Sequence, residues 1–458
     1  MRPWRVPDWT YIPLKSLAGT VLGVSRSRRW ALRVLAAVVA APGGRAFVAF
    51  VLGRFRRPDG VQVGAVVPAR HARDALRVLP ALGASVVEVD PGVEITVIDD
   101  PRIGTAVAAL SAPGATVIAG PAVLLDAGPA WFRRVLEAAT PTAPAQPWRD
   151  LPRDPRRWPS WVWGVVVGIG MVCAGLGAAV ITLGPVLLWY DRDYLGLTTQ
   201  GLNHIDHDLV DFLQHDRLTM AGTMVSIGVL YAGLAWGGIR RGWLWARDAY
   251  LISGVVGFPT LFYFLSTGFV EPLHLAVAVA LFPLFLLAVW RSPAVPRWTV
   301  RSDGPERLRR RALLGQLLMI LTGVGLLAGG AVISVVGMTG VFVPTDLEFL
   351  DTDTAHLRAA NPHLVPFIAH DRAGFGGALL SAAIAVILLS MWGWRRGEAW
   401  VWWTLLLSAA AGFGPTLAIH FSIHYTDLSH LAPVYVGVVL TAIALILARP
   451  FLCDTGGE

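Results

Sequence analysis

The stretch HDRLTMAGTMVSIGVLYAGLAW occupies residues 215–236, and HDRAGFGGALLSAAIAVILLSMW occupies 370–392. Each opens on the same His-Asp-Arg triplet and runs straight into a long apolar segment. A shift of 155 residues overlays the chain around them without a gap. Asp191 falls on Asp346, Phe212 on Phe367, Ser226 on Ser381, and Arg240-Arg241-Gly242 on Arg395-Arg396-Gly397. One extra residue, Gly414, moves the offset to 156, after which Pro259-Thr260-Leu261 matches Pro415-Thr416-Leu417 and His274-Leu275-Ala276 matches His430-Leu431-Ala432. This pattern reads as an internal duplication, and a repeat has to be recognised before any fold is assigned.

Composition sets the class. The chain is 55% hydrophobic with a mean hydropathy of +0.57, too apolar for a soluble domain of 458 residues. Eight segments approach the length needed to cross a bilayer, about 20 apolar residues. They lie at 161–188, 218–238, 246–267, 273–290, 313–343, 373–393, 400–421 and 431–448. The expected fold is therefore mainly α and polytopic, with eight transmembrane helices as two parallel four-helix repeats. An even number of spans per repeat leaves both repeats in the same orientation. The repeats span 161–290 and 313–449, joined by a basic linker at 291–312 and followed by a short tail at 450–458.

Loop charge orients them. The stretches 149–157, 239–247, 291–311, 395–396 and 449 carry 17 arginines, whereas the opposite loops carry four, Arg192, Arg217, Arg358 and Arg372. The positive-inside rule makes the arginine-rich set cytoplasmic, in a plasma-membrane protein with both termini cytoplasmic and a histidine-rich extracytoplasmic face. The net charge of +7 is thus mostly topology and predicts no nucleic-acid partner. Two cysteines, Cys173 and Cys453, support neither a disulfide framework nor a thiolate metal site.

Ahead of the spans, residues 1–57 predict basic amphipathic helices lying on the membrane, with Trp30, Leu32, Leu35 and Val38 on one apolar face. A signal peptide over 27–42 is the competing reading, disfavoured because Arg33 interrupts its apolar core. Residues 58–140 predict a small α/β domain on the cytoplasmic side. Its strands are expected near 61–67, 85–89, 94–98 and 115–119, and its helices near 72–82, 102–110 and 130–139. A proline-rich linker covers 141–160.

Two resemblances follow. Val63-Gly64-Ala65, LGASVVEVD (82–90) and GATVIAGPAVLLDAGPAWFRRVLEA (114–138) resemble the first and last parts of a class 2, membrane-associated dihydroorotate dehydrogenase. That resemblance implies an eight-stranded barrel, for which about 250 residues are typical, so the middle strands must be missing here. Pro68-Ala69-Arg70-His71 stands where the family has Asp-Lys-Asn-Gly, the segment bearing its catalytic serine is absent, and Lys15 is the lone lysine. No FMN is therefore expected, and dihydroorotate dehydrogenase activity is not expected.

The membrane part resembles haem A synthase, which joins two four-helix bundles and carries histidines on the second and fourth helix of each. His215 and His274 in the first repeat, and His370 and His430 in the second, hold those places. The resemblance implies haem b between His215 and His274, and again between His370 and His430, with glycines such as Gly222, Gly254, Gly376 and Gly377 making room. Phe212 and Phe367 replace the family's glutamate, Asp211 being the nearest carboxylate, which separates haem binding from haem hydroxylation.

Asp191, Asp216, Arg217, Asp346, Asp371, Arg372, His420, His424 and Asp427 add polar groups at the same membrane face, with His204 and His207 in a nearby loop. Histidine and aspartate together also suit a divalent metal. A plainer reading makes Asp216 and Asp371 helix N-caps, the arginines headgroup anchors, and the histidines interfacial polar tips. Function is accordingly expected to be redox or haem-handling, as a membrane oxidoreductase with a quinone or a redox protein as partner. Transport of a small molecule or metal ion, or a scaffold or sensor role, stands as the alternative.

Overall fold

The computed structural model describes residues 8–90, 97–111, 115–144, 147–263, 269–291, 295–298, 300 and 304–455. Three helices open the chain: α1 (Asp8–Leu22), α2 (Val24–Ala40) and α3 (Gly44–Leu52). The sharp bend of 115° between α2 and α3 falls at Pro42-Gly43-Gly44, where Gly43 adopts a φ of 71° that a residue with a side chain would resist.

A four-stranded parallel sheet follows. Its strands are β1 (Gln62–Val67), β2 (Val86–Val89), β3 (Val97–Ile98) and β4 (Thr116–Ala119), in the order β2-β1-β4-β3. The central strand β1 pairs with β2 from Gly64 opposite Val86 and with β4 from Gln62 opposite Thr116. Val63 and Ala65 are fully buried, as expected of a parallel strand covered on both faces. The helices are α4 (Ala72–Leu82), α5 (Ile103–Ala109), α6 (Pro121–Ala127) and α7 (Trp131–Ala139). Helix α4 turns Ala75, Val78, Leu79 and Leu82 inward at helical spacing. Trp131 and Phe132 of α7 are fully buried against the sheet.

The remaining chain is helical. In order come α8 (Ser160–Leu183), α9 (Trp189–Leu195), α10 (Thr199–Ile205), α11 (Leu209–Gly233), α12 (Leu244–Tyr263) and α13 (Pro272–Trp290). Then follow α14 (Glu306–Met338), α15 (Pro344–Phe349), α16 (Thr354–Ala360), α17 (Leu364–Gly393), α18 (Ala399–Ser422) and α19 (Leu428–Leu452). Among the described residues, seven of these helices are long and apolar enough to cross a membrane: α8, α11 with its continuation to Arg241, α13, α14, α17, α18 and α19. Helix α12 occupies the third expected span but is not among those seven, and 264–268 lie outside the described residues.

Helices α11 and α17 form the centre. Of the most apolar stretch of each, 72% and 61% respectively is buried, against 22–28% in the other five, so those five face lipid. Helix α11 lies against α8 and α18, and α17 against α14 and α12. Small residues permit the tightest approaches: a side chain at Gly175 would strike the Ala221 carbonyl, and one at Gly330 the Leu380 backbone. Both central helices begin six residues before their triplets, at Leu209 and Leu364. Asp216 and Asp371 thus lie in the second turn, and the expectation that they are N-caps is corrected: neither N-terminus ends there.

Contacts at matching positions recur across the centre. Ser226 Oγ lies 2.7 Å from Ser408 Oγ, and Ser381, 155 residues after Ser226, exchanges hydrogen bonds with Ser253, 155 before Ser408.

The α/β domain docks on the end of the bundle opposite the triplets. Arg395, between α17 and α18, donates to both oxygens of Glu137 at 2.9 and 2.7 Å, and Arg133 donates to Glu137 Oε1 at 2.6 Å. Arg309 at the start of α14 donates to Asp8, and Arg54 to Asp248. Burial works to raise the Glu137 pKa, and the guanidinium groups of Arg395 and Arg133 outweigh it, bringing it from 4.5 to about 2. A depressed carboxylate pKa contributes stability that is complete above the unfolded value and lost as pH falls toward the folded one. The clamp is therefore expected to hold above about pH 4.5 and to weaken between pH 4.5 and about 2. Glu137→Gln leaves Arg395 and Arg133 without their carboxylate, a change of the class that costs about 3–5 kcal/mol. Limited proteolysis in the 141–160 linker should accelerate in that variant at neutral pH.

Candidate functional site

The two triplets meet at the centre, and each arginine pairs with the other triplet's aspartate. Arg217 Nε donates to Asp371 Oδ2 at 2.8 Å, and Arg372 Nε donates to Asp216 Oδ2 at 2.9 Å. The second arm of each also matches: Arg217 donates to the Val186 carbonyl and lies 3.5 Å from Asp191, while Arg372 donates to the Val341 carbonyl and to Asp346. All six charged residues are at most 7% exposed. Each guanidinium also lies 4.9 Å from a phenylalanine ring of the other triplet's helix, Arg217 over Phe367 and Arg372 over Phe212. Phe212 and Phe367 thus cover the ion pairs.

Asp191 and Asp346 have a second task. Each accepts the backbone N–H three residues ahead of it, from Leu188 and Val343, fixing the start of α9 and α15. Burial pushes the Asp191 pKa up to about 6, against the opposing pull of Arg217 and the Leu188 N–H.

Beside this core, His215 meets His420 and His430. One ring nitrogen from each lies within 4.8 Å of the others, and His215 Nε2 is 3.0 Å from His420 Nε2. Polar groups stand behind the opposite nitrogens. His420 Nδ1 donates to the Thr416 carbonyl at 2.6 Å, and His215 Nδ1 lies 3.1 Å from Asp216 Oδ1. His430 Nδ1 lies 3.2 Å from Tyr425 Oη, whose proton goes to Asp346 Oδ1 at 2.9 Å. Burial and the neighbouring Asp346 hold the Tyr425 phenol well above its ordinary pKa, so it stays a donor. With Nδ1 protonated on His420, its Nε2 turns a lone pair toward His215 Nε2 at 3.0 Å. A proton on His215 Nε2, donated to His420 Nε2, or a cation between the rings satisfies that contact.

A second group lies across the centre. His370 Nε2 is 3.8 Å and His274 Nδ1 3.7 Å from Glu271 Oε2, and Tyr190 Oη donates to Glu271 Oε1 at 3.0 Å. Burial opposes the Glu271 charge, but hydrogen bonding from His274 and His370 more than offsets it and holds the pKa well below the usual carboxylate range. The three could hold one ion.

The expected partners are thereby exchanged. His215 was expected opposite His274 and His370 opposite His430; instead His215 joins His420 and His430, and His370 joins His274. The reason is packing: α11 lies against α18 and α17 against α12, so each triplet histidine looks into the other half. His424 stays out of both groups, exposed in a turn with φ 61°. Asp427 caps α19 by accepting the His430 N–H at 2.9 Å. His204 lies exposed on α10; exposed His207, between Asp206 and Asp208, is 3.1 Å from Asp208. The positions 156 residues before His420 and His424, Phe264 and Gly268, lie outside the described residues. Glu271 and Tyr425 went unread in the sequence. The signal for Glu271 was its place three residues before His274, the spacing that brings two side chains together at a helix start.

Searches against family models, curated proteins and solved structures return no match for this chain.

Removing one member of a buried pair strands the other. Asp371→Ala should lower stability by about 3–5 kcal/mol, read as a large drop in the melting temperature of the detergent-solubilised protein. Arg217→Met combined with Asp371→Leu should recover most of that loss, because Asp191 sits near pH 6 already and takes up a proton readily. A double variant no better than the single would show that the pair is not the source.

Proposed function

We propose that this chain is a metal-dependent membrane oxidoreductase built by duplication. Eight spans form two parallel four-helix repeats, with α12 as the third span of the first. The matching Arg–Asp and Ser–Ser contacts at positions 155 apart support that duplication. In this reading the arginine-rich end with the α/β domain is cytoplasmic, as are both termini, and the histidine face is extracytoplasmic in the plasma membrane.

The observation that carries the metal reading is the His215, His420, His430 group. Three imidazoles converge while a carboxylate, a carbonyl and a tyrosine–aspartate relay orient them from behind. Outer partners of this kind fix ring orientation and basicity at metal sites. Three neutral nitrogens with room for a fourth ligand match a catalytic tetrahedral site, in which neighbouring ligand nitrogens stand about 3.3 Å apart. Two axial nitrogens across a haem iron stand about 4 Å apart with the macrocycle between them. Rings with centroids 4.3 Å apart and perpendicular leave no space for one. A divalent metal is therefore preferred to haem b. Glu271, His274 and His370 offer the two-histidine, one-carboxylate set that suits a redox iron.

The α/β domain we read as an inactive remnant of a dihydroorotate dehydrogenase-like barrel. The order β2-β1-β4-β3 is what a closed eight-stranded barrel keeps when strands three to six are removed, its first and last strands still paired. In such barrels the loops after the last two strands bind phosphate. Here the Asp99 carboxylate stands directly over Gly120 in that place, and a negative charge there repels an anionic cofactor such as FMN.

Metal analysis of the purified protein, with a reduced-minus-oxidised spectrum of the same sample, tests this. At least one stoichiometric divalent metal is expected, lost in His420→Ala and His430→Ala. A b-type haem spectrum, or a folded protein free of metal after growth in metal-replete medium, would overturn the reading.

A further inference from the structure

A large cleft leads away from His215, His420 and His430, of about 1330 Å³, between α11, α14, α17, α18 and α19. Its exposed wall surface is mostly apolar, and it runs along α19 from His430 to Thr441, a rise of about 16 Å at 1.5 Å per residue. Helices α14 and α19 close on each other near Gly315 and Ala444. Nearer the histidines they part, and the lining residues Leu321, Val332 and Val436 are about half exposed, so the cleft opens sideways toward lipid.

The corresponding volume of the first half is occupied by side chains. Tyr231, Tyr250 and Phe285 stack there in series, with ring centroids 4.4 and 5.7 Å apart, and Leu281 packs beside them. At the matching positions of the second half stand Val386, Leu405, Thr441 and Gly437, all lining the cleft. Four large side chains have been exchanged for smaller ones on one side of the molecule, and the hollow lies beside the three-histidine group.

Two features describe an occupant. His215, His420 and His430 line the cleft at one end and bring their ring nitrogens together there. Imidazole nitrogens there can donate to or accept from the oxygens of a polar head. The mouth, by contrast, offers no unpaired cation: Arg372 is held by Asp216 and Asp346, and Glu348 and Asp427 stand nearby. A phosphate head would meet carboxylates.

From this we infer that the cleft seats a prenylated quinone or quinol, its apolar chain along α14 and α19 and its uncharged head oxygens at the three histidines. This substrate class rests on the metal reading for what the head meets, but the chain site stands on the cleft alone. The volume exceeds the roughly 300–1,000 Å³ of ordinary small-molecule pockets, as a long chain requires.

The test is a binding titration of the full-length protein in mild detergent with a short-chain alkyl benzoquinone, with metal content measured on each sample. Saturable binding is expected. The paired change Gly437→Leu and Thr441→Phe, which installs the first half's residues, should weaken it about tenfold or more, a loss of about 1.4 kcal/mol, while metal content and melting temperature hold. A photoreactive quinone should label the wild-type protein on α14 or α19, which keeps the test decisive if the filled variant fails to fold. Wild type that holds metal yet binds no quinone overturns the inference and leaves the metal reading standing. Binding that persists in the folded, filled variant, labelling elsewhere, or a co-purified phospholipid that quinone cannot displace also overturns it. Quinone binding by a protein without metal would overturn the metal reading instead.

Discussion

The crossed pairs Arg217–Asp371 and Arg372–Asp216 are the constraint on which the rest of the membrane part depends. Four charges plus Asp191 and Asp346 sit in the packed centre, where an unpaired one would cost several kcal/mol. Their geometry admits a single relative placement of α11 and α17, since each guanidinium must reach a carboxylate on the other helix and a carbonyl on its own side. That placement turns each triplet histidine into the opposite half. The histidine groups are thus by-products of the ion-pair geometry as much as of the histidines' own positions.

The same carboxylates serve both systems. Asp216 presents one oxygen to Arg372 and the other to His215; Asp346 presents one to Arg372 and the other, through Tyr425, to His430. Charge on the imidazole group is therefore felt by the pair that holds the helices together. A change of proton or metal at the histidines acts directly on the contact that sets helix position, over one or two hydrogen bonds.

Much of this was legible in the residues, and the gaps have physical causes. Apolar runs and turn residues marked all the long helices, and the strands of the small domain fell where β-branched runs stood between Gly and Pro. The triplets and His420 pointed to one end of the helical bundle, where the structure brings them together. Which histidines meet was not readable, because the hydrophobic pattern that buries α11 is identical whether α18 or a helix of its own half lies against it. Asp216 and Asp371 looked like caps because a helix crossing a membrane was expected to start at its apolar run; in fact each begins six residues earlier, with Leu209 or Leu364 buried among other outer-end side chains. The cleft was invisible because it consists of missing volume, and Thr441 means a hollow only once Phe285 has been seen filling its counterpart.

The interlocked triplets also bear on how the protein is made. Arg217 leaves the ribosome some 154 residues before Asp371, the length of an entire half. During that interval the first half holds an arginine and two aspartates, with Arg217 near Asp191 and Asp216 facing only His215. A nascent chain in that condition stays close to the insertion machinery or to a chaperone until the second half arrives. The two halves, though each resembles a complete bundle in sequence, therefore mature as one cooperative body, and a chain cut between them has no stable resting place in the bilayer.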